Sequence, residues 1–449
     1  MNALRDASRV HALERGDLLL IIDRLSGRWV TVDRAYAVLV PLLGVPPPRL
    51  PDELRTPVRQ LRNLLTEKGV GVAGVESHFG QLNTIILKLT NACNFACRYC
   101  YDFEVFERAT VLPRELAVDA IDQALDLCES DLQVIMHGGE PTLMWDLLAD
   151  LVMTGEELAR THNKRIWFVG QTNLSRINTE MVSFSREHRI AWGVSVDGPP
   201  DVHDALRVTH SGVGTYSAFE DALARFPDFV RECGIMTTVT ALNQHRLLEI
   251  ARHFRDLGMP SWDWSLFQPI GRGRELGGHL GLDSEVLTES WERLFQAVEA
   301  GEFNGFVVFP VKKYIDNFFH GPGGNMCMRP ECGAARDLLS VSCDGTVEAC
   351  DCLDPTGPLA GLGTVSQGLE AARLSPVATA IRNRDLTEAP CAQCLWFGVC
   401  GGTCLAHAPS LNSVWAEGCA LAMVAFDRIS SSLAGRTALV DYVDTLNRR

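Results

Sequence analysis

The sequence predicts an α/β protein centred on a partial (β/α)6 TIM-like barrel, with a small N-terminal winged-helix-like α+β domain and a Cys-rich C-terminal domain. Residues 17–70 have the pattern of a hairpin followed by helices. From residue 83 short apolar runs alternate with amphipathic stretches of helical length, and after about residue 320 this alternation stops. The predicted domains are residues 1–75, 76–320 and 321–423, with a C-terminal helix at 424–449.

Composition narrows the class of protein. Hydrophobic residues make up 46% and charged residues 22% of the 449 residues, which is typical of a globular protein with sizeable cores. The net charge of −15, without a long basic run, argues against nucleic acid and an anionic membrane surface as partners. The first residues lack an apolar signal core and no membrane-length apolar run follows, so we expect a cytoplasmic protein.

The N-terminal domain begins with two apolar, β-branched runs. Leu18–Ile22 and Trp29–Val32 flank a turn at Ser26-Gly27, which predicts a β-hairpin. Two helices and a Gly-rich linker are predicted to follow, over Asp33–Leu43, Asp52–Lys68 and 71–82.

Six βα units are predicted for the barrel. The strands are Thr84–Leu89, Leu132–Met136, Ile166–Val169, Ile190–Val196, Ile235–Val239 and Trp262–Phe267. The helices are Pro113–Cys128, Trp145–Thr161, Thr179–Glu187, Thr215–Arg225, Gln244–Leu257 and Ser284–Ala300. Such alternation predicts parallel strands with the helices outside, two units short of a closed eight-stranded barrel.

Thirteen of the fifteen cysteines lie in three segments, 93–100, 327–352 and 391–419. Disulfides are rare in a reducing cytosol, so this clustering indicates metal or iron–sulfur sites. The first segment, "CNFACRYCY", follows the first barrel strand, where such barrels place their chemistry. Three thiolates leave one iron of a 4Fe–4S cluster open to another ligand. A zinc site completed by a distant residue, and unligated buried cysteines, are the alternatives.

The spacing Cys93-x3-Cys97-x2-Cys100, with Tyr99, resembles the radical S-adenosylmethionine (SAM) superfamily. Gly138-Gly139-Glu140-Pro141, after the second strand, extends the resemblance. It implies that the open iron chelates SAM and that an electron from the cluster cleaves SAM to a deoxyadenosyl radical, which abstracts hydrogen from the substrate. It also implies that the glycines let the backbone approach SAM and that Glu140 accepts from its ammonium group.

The stretch "GVSVDGPPDVHDALR" resembles a segment of anaerobic sulfatase maturases and related peptide-modifying enzymes. The resemblance implies that Ser195 hydrogen-bonds the SAM ribose and that Arg207 contacts its carboxylate or ribose side. A strand-end hydroxyl and a solvated surface arginine are the alternatives. Residues 171–173, "QTN", match a further family motif in which Leu174 replaces a glycine.

The C-terminal cysteines resemble the SPASM domain, which holds two auxiliary 4Fe–4S clusters in its family. The resemblance implies one ligand set of Cys327, Cys332, Cys350 and Cys404, and a second of Cys391, Cys394, Cys400 and Cys419. With the loop at 93–100 this gives three 4Fe–4S clusters and leaves four cysteines outside the ligand sets: Cys128, Cys233, Cys343 and Cys352. Two zinc knuckles are the alternative.

Two further resemblances bear on the reaction. Asp351 directly follows a predicted cluster ligand and matches the general base of sulfatase maturases, although an acid at this position can also cap a turn. Residues 17–70 resemble the small peptide-binding domain of pyrroloquinoline quinone biosynthesis, which recurs as a leader-peptide recognition element and binds a peptide by strand addition. The alternative is a structural N-terminal cap.

Together these features predict a radical SAM peptide maturase with a SPASM domain. Its expected partners are a precursor peptide with a leader and an electron donor such as flavodoxin or ferredoxin. One rival is an anaerobic sulfatase maturase that oxidises Cys or Ser to formylglycine. Another is a non-catalytic metal-binding scaffold, against which the three-cysteine loop followed by Gly-Gly-Glu-Pro argues.

Overall fold

The computed structural model describes residues 7–72, 80–102, 109–321, 325–329, 331–386, 390–435, 439 and 442. Most of the predicted linker at 71–82 lies outside these residues. Among the residues described, no helix combines the length and apolar composition needed to cross a bilayer.

The N-terminal domain is a three-stranded antiparallel sheet covered by helices. Its strands, in spatial order, are β1 (Val10–Arg15), β2 (Leu18–Asp23) and β3 (Trp29–Asp33). The predicted hairpin is present as β2 and β3, whereas β1 was not predicted. Helix α1 (Asp52–Glu67) agrees with the prediction and buries Val58, Leu61 and Leu65.

The helix predicted at 33–43 is present as 3-10 turns and not as an α-helix. Residues Arg34–Leu42 form 3-10 turns, capped by Asp33, whose side chain accepts from the Ala35 amide at 2.8 Å. Pro41 lies inside this segment, and its ring crowds the preceding turn of a regular α-helix, which disfavours that conformation here.

A single sheet forms the centre of the molecule. Its parallel strands are β4 (Thr84–Thr90), β5 (Asp131–Gly138), β6 (Arg165–Thr172), β7 (Ala191–Ser195), β8 (Gly234–Val239), β9 (Ser261–Leu266) and β10 (Val307–Val308). On the other side of β4 follow β11 (Leu338–Val341), parallel to β4, and the antiparallel β12 (Thr346–Glu348) and β13 (Gly363–Thr364). The six predicted strands are therefore present in an open, barrel-like sheet.

Helices follow most of the strands. Those of the barrel are α2 (Arg114–Leu127), α3 (Trp145–Thr161), α4 (Thr179–Glu187), α5 (Pro200–Leu206), α6 (Tyr216–Arg225), α7 (Pro227–Val230), α8 (Leu247–Asp256), α9 (Gly277–Leu280), α10 (Ser284–Glu299) and α11 (Phe309–His320). Strand β10 and helix α11 add a short seventh unit to the six that were predicted. The two-residue strand is too short to give a periodic signal.

The C-terminal domain has little regular structure before its last helix. It contains α12 (Leu369–Arg373), α13 (Pro376–Arg382), α14 (Phe397–Cys400) and α15 (Ala416–Ser432). Helix α15 crosses the predicted boundary at residue 424 and carries Cys419.

The N-terminal sheet packs against the C-terminal domain at the tip of its hairpin. A Cβ on Gly27 would lie 2.7 Å from the carbonyl oxygen of Gly398, so only glycine permits this approach. The Trp29 indole donates to the Phe318 carbonyl at 2.7 Å, and the two rings lie 4.9 Å apart. The N-terminal domain is thus held close to α14, which contains the predicted ligand Cys400.

Candidate active site and metal centres

The three-cysteine loop leaves the carboxyl end of β4 and is held there by the Gly-Gly-Glu segment after β5. The amide of Gly139 donates to the Thr90 carbonyl at 2.7 Å, and that of Glu140 to the Ala92 carbonyl at 2.9 Å. A Cβ on Gly138 or Gly139 would lie 2.3 Å or 2.1 Å from these same oxygens. Both glycines therefore allow the end of β5 to approach and hydrogen-bond to the start of the cysteine loop.

The thiols of Cys93, Cys97 and Cys100 lie close enough to disfavour one another's ionisation. Burial, aided by this repulsion, raises the pKa of Cys93 and of Cys100 to about 12. Burial likewise raises the pKa of Cys97. A metal cation replaces these protons and compensates the thiolate charge, so the donor set suits an iron–sulfur cluster.

A buried charge cluster around Asp197 contacts the three-cysteine loop through Tyr99. Asp197 is fully buried directly after β7, and its Oδ2 accepts from the Tyr99 hydroxyl at 2.7 Å and pairs with Arg207 Nε at 3.0 Å. Its Oδ1 accepts from the Thr238 amide at 2.9 Å. The Arg207 guanidinium lies 5.3 Å from the centre of the Tyr99 ring. Predicted as a SAM contact, Arg207 is thus also the partner of a buried carboxylate beside Cys97.

His203 closes this cluster. Its Nδ1 accepts from the Asp197 amide at 3.3 Å, and its Nε2 lies 3.0 Å from the Thr215 hydroxyl, which donates to the Arg207 carbonyl. Burial lowers the pKa of His203 to about 4, so the ring is neutral at pH 7.

Glu140 is buried and already makes several hydrogen bonds. Its Oε1 accepts from the amide and hydroxyl of Thr142 and from the Thr172 hydroxyl, at 3.1, 2.6 and 2.7 Å. Its Oε2 accepts from the Asn173 amide at 2.8 Å. Burial raises the pKa of this carboxyl, and the hydrogen bonds oppose the shift. Oε2, with one donor from the described residues, retains room for an ammonium group.

Ser195 and Gln171 pair at the ends of neighbouring strands. The Gln171 amide donates to the Ser195 hydroxyl at 2.8 Å, which leaves the hydroxyl hydrogen for another acceptor. Leu174, at the position where the family motif has glycine, keeps the left-handed conformation with φ of +60°. Its side chain is 1% exposed, so burial offsets a strain of about 1–2 kcal/mol.

The first C-terminal ligand set comes together in space. Burial, and then repulsion from Cys350 and Cys332, raises the pKa of Cys327 to about 12. Burial, and then repulsion from the other three members of the set, raises the pKa of the Cys404 thiol. Cys352, outside the predicted set, lies near Cys404 and Cys327 as well. Five thiols therefore surround this site, one more than a four-cysteine cluster needs.

The second C-terminal set is also assembled. Burial and mutual repulsion raise the pKa values of Cys391, Cys400 and Cys419 to about 11, and Cys394 lies near all three. A cavity of about 290 Å³ runs between the two sets, with Cys327, Cys400, Cys404, Trp264 and Tyr314 in its walls.

Asp351 faces the barrel from the first set. Its Oδ2 accepts from the Tyr101 hydroxyl at 3.2 Å, and its Oδ1 lies 3.5 Å and 3.6 Å from the sulfurs of Cys350 and Cys352. It therefore bridges the end of the three-cysteine loop and an expected cluster ligand.

Lys88 marks a second buried charge cluster that sequence reasoning missed. Its Nζ lies 2.7 Å from Asp102 and 3.9 Å from Glu348, which joins β4, the cysteine loop and β12. Burial alone would lower the pKa of Lys88, but the two carboxylates raise it. In the sequence, the one feature that could have indicated this cluster is a lysine within the otherwise uncharged strand "TIILKLT".

Three of the four remaining cysteines behave as core residues. Cys128, Cys233 and Cys343 are each less than 5% exposed and pack within the main hydrophobic core. Free cysteine acts as a small hydrophobe at such positions.

Comparison with known proteins extends these observations. Residues 87–258 match the Radical SAM superfamily. A cysteine-type anaerobic sulfatase-maturating enzyme of Clostridium perfringens is 24% identical over 344 residues, covering 72% of this chain and 88% of that enzyme.

Solved structures share the fold. Native anSMEcpe with bound AdoMet and Kp18Cys peptide superposes with a TM-score of 0.68 at 20% identity, covering 82% of this chain and 99% of its own. Streptococcus suis SuiB bound to precursor peptide SuiA superposes with a TM-score of 0.56 at 14% identity, covering 92% of this chain and 98% of its own. The second comparison thus extends over more of this chain than the first.

Proposed function

Because the chain belongs to the radical SAM superfamily of enzymes, we propose that it modifies a ribosomally made peptide by hydrogen abstraction, installing a crosslink or a related change. The observation that carries this proposal is a three-thiol loop at the end of β4 in a chain that also has a separate N-terminal sheet domain. A leader bound to that domain would bring a core peptide to the loop.

When bound, a 4Fe–4S cluster and SAM supply a deoxyadenosyl radical at the barrel mouth. Cys93, Cys97 and Cys100 would hold the cluster and leave one iron for SAM. Glu140 Oε2 would accept from the SAM ammonium and Ser195 would donate to its ribose. These residues bind and orient, and a misplacement of about 1 Å at such a site can cost about 100-fold in rate.

Asp351 is the proposed general base of the reaction. It lies between Tyr101 and Cys350, so a substrate residue bound there would meet the carboxylate on the C-terminal side of the site. The two C-terminal sets would hold auxiliary clusters that accept the electron left after proton removal. A reduced flavodoxin or ferredoxin would supply the first electron.

The N-terminal sheet offers edges for a leader strand. Among the residues described, β1 and β3 each pair on one side, with β2 between them. An extended peptide can add to such an edge through main-chain hydrogen bonds. The β3 edge lies beside the contact of Trp29 with Phe318, which leads toward the C-terminal sets.

A sulfatase maturase that oxidises Cys or Ser to formylglycine is the second candidate. The Clostridium perfringens relative supports it, as does Asp351 beside Cys350. The anSMEcpe superposition covers 82% of this chain, less than the 92% covered by the SuiB superposition, and formylglycine formation needs no leader-binding domain. The peptide maturase therefore requires the N-terminal domain for substrate binding, whereas the sulfatase maturase does not.

Deletion of residues 1–75 tests the choice. The probe is the peptide encoded by a small open reading frame beside the gene, and the products are read by mass spectrometry. We expect the deletion to raise the apparent KM for the full precursor strongly while SAM cleavage without peptide stays nearly intact, because the thiol loop and the SAM residues lie beyond residue 90. A lost micromolar leader contact corresponds to about 8 kcal/mol of binding free energy.

Two controls make the truncation interpretable. The shortened chain must retain its iron, because the deletion uncovers Phe318 and the surface around Gly398. A leaderless core peptide should be an equally poor substrate for both forms. Unchanged turnover of the full precursor by the truncated enzyme would instead favour the formylglycine reaction, which a cysteine- or serine-containing sulfatase peptide then tests directly.

A further inference from the structure

Arg384 lies between the two C-terminal thiol sets, and the acceptors that it binds among the described residues are backbone carbonyls. Its Nε donates to the Leu411 carbonyl at 2.8 Å, and its Nη1 to that of Thr403 at 3.2 Å. Its Nη2 donates to the carbonyls of Ser413 at 2.6 Å and Gly402 at 3.5 Å. Arg384 forms no salt bridge with any residue in the described part of the chain, so no carboxylate there cancels its charge.

The carbonyls that Arg384 binds include the short segment shared by both sets. Cys400 belongs to the second set and Cys404 to the first, and the three residues between them are Gly401, Gly402 and Thr403. All three have left-handed φ angles, of +74°, +85° and +68°. Thr403 is strained in this conformation, so the segment needs outside support. Arg384 provides it through two of its four hydrogen bonds.

The same guanidinium is electrostatically close to both sets. Burial lowers the pKa of Arg384, and attraction to thiolates of Cys332, Cys404, Cys391 and Cys400 opposes that shift. The first two cysteines belong to one set and the last two to the other. A Cβ on Gly402, a residue that Arg384 binds, would lie 3.6 Å from the Cys391 sulfur, which confirms how near the segment runs to the second set.

We propose that Arg384 is a positioning residue that fixes the Gly401–Thr403 segment and supplies one positive charge to both auxiliary clusters. The proposal rests on the two-cluster part of the proposed function. Adding an electron to a cluster adds negative charge, and a nearby cation in a partly buried site stabilises the reduced form. Arg384 would therefore hold the midpoint potentials of both clusters higher than their thiolate ligands alone would set them.

The test is a redox titration of the full chain in which electron paramagnetic resonance measures the reduced clusters at each potential. Cys93, Cys97 and Cys100 are first changed to Ala, so that only auxiliary signals remain. In this background Arg384→Gln removes the charge, whereas Arg384→Lys keeps it but loses the planar fork. We expect Arg384→Gln to shift both midpoint potentials to more negative values and Arg384→Lys to leave both near those of the background protein.

Arg382→Gln is the matched control, because Arg382 is a half-buried neighbour with hydrogen bonds to Ala335, Arg373 and Thr379, none of which lies in the Gly401–Thr403 segment. It should shift neither potential. A loaded Arg384→Gln protein that shifts one cluster or none overturns the shared charge. If Arg384→Gln loads no iron, a loaded Arg384→Lys protein supports the proposal, and failure of both overturns it. A background protein without auxiliary iron refutes the two-cluster reading itself.

Discussion

The three-cysteine loop and the C-terminal cysteine sets use the same thiol chemistry in different surroundings. The loop is bordered by buried charge pairs, Lys88 with Asp102 and Arg207 with Asp197. The first C-terminal set also lies near an ion pair, Arg329 with Asp337, but the segment that joins the two sets is held by backbone contacts, with consecutive left-handed residues before Cys404 and an arginine bound to carbonyls. Charge pairs with few alternative geometries suit a site that must orient a charged co-substrate, whereas the segment between two four-thiol sites needs only a fixed backbone.

Removal of the loop thiols should separate the two regions most clearly. Changing Cys93, Cys97 and Cys100 together to Ala should abolish SAM cleavage and lower the iron content from about 12 to about 8 atoms per chain. The thiols are brought together by one loop, and the two C-terminal sets share none of them. Anaerobic iron and sulfide analysis, with deoxyadenosine release as the activity, checks both outcomes.

The zinc alternative is tested in the same measurement. A wild-type chain that binds zinc, or only about four irons, contradicts three clusters. A triple variant that loses all its iron would mean that the loop and the C-terminal sets depend on each other for folding.

The second prediction separates ligands from bystanders in the first C-terminal set. Cys404→Ala should cost about four irons, since Cys404 is one of four expected ligands. Cys352→Ala should cost none, although its thiol lies in the same group of five. Iron analysis of the two variants side by side checks this. Iron loss in Cys352→Ala with retention in Cys327→Ala would exchange these two residues in the ligand set.

The contrast between the two regions also explains what the sequence could predict. Cysteine spacing is local, so Cys93, Cys97 and Cys100 could be grouped from the sequence alone. The division of the C-terminal cysteines needed a family resemblance, because Cys404 lies between members of the other set in the chain. The structure brings each group together in space.

Partners from distant segments were beyond sequence reasoning. Asp197 stands in a quoted motif, yet its pairing with Tyr99 crosses 98 positions of the chain. The partners of Arg384 could not be predicted from the sequence, because they are backbone carbonyls and every residue has one. Strand β10 was missed for a different reason, because an element of two residues has no strand period. The 3-10 turns at Arg34–Leu42 were predicted as a helix, since an apolar helical pattern does not separate the two helix types.

The third prediction asks whether the polar frame of the loop binds SAM. Glu140→Gln should weaken SAM binding by about 10- to 150-fold, since one charge-assisted hydrogen bond contributes about 1.5–3 kcal/mol. Clusters should remain, because Gly139 and the Glu140 amide still hold the loop. Calorimetric titration of SAM into the reconstituted enzyme measures the change.

Thr142→Val is the matched control for Glu140. It removes a hydroxyl donor to Oε1 and leaves Oε2, the oxygen with room for the ammonium, untouched. SAM affinity should therefore stay near the wild-type value. Equal losses in both variants would assign Glu140 to holding Thr142, Thr172 and Asn173 rather than to SAM.

The last and mildest predicted change is in the pH dependence of stability, to which the charge cluster around Asp197 contributes through His203. Burial lowers the pKa of His203 to about 4 from a usual 6.5, so the unfolded chain binds a proton that the folded chain rejects. Stability from this residue is complete above the unfolded pKa and is lost as pH falls toward 4. The linkage predicts a loss of roughly 1 kcal/mol in unfolding free energy between pH 7.5 and 5.5.

His203→Gln isolates this contribution, because an amide side chain can still accept from Asp197 and donate to Thr215 but does not titrate in this range. The difference in unfolding free energy between wild type and variant should shrink as pH falls from 7.5 to 5.5, whereas acid effects on the clusters are common to both chains and cancel. Denaturant unfolding of both reconstituted proteins at the two pH values measures it. A pH-independent difference would mean that His203 accepts its proton in the folded chain, and that the Asp197–Arg207 pair tolerates a second positive charge beside the loop.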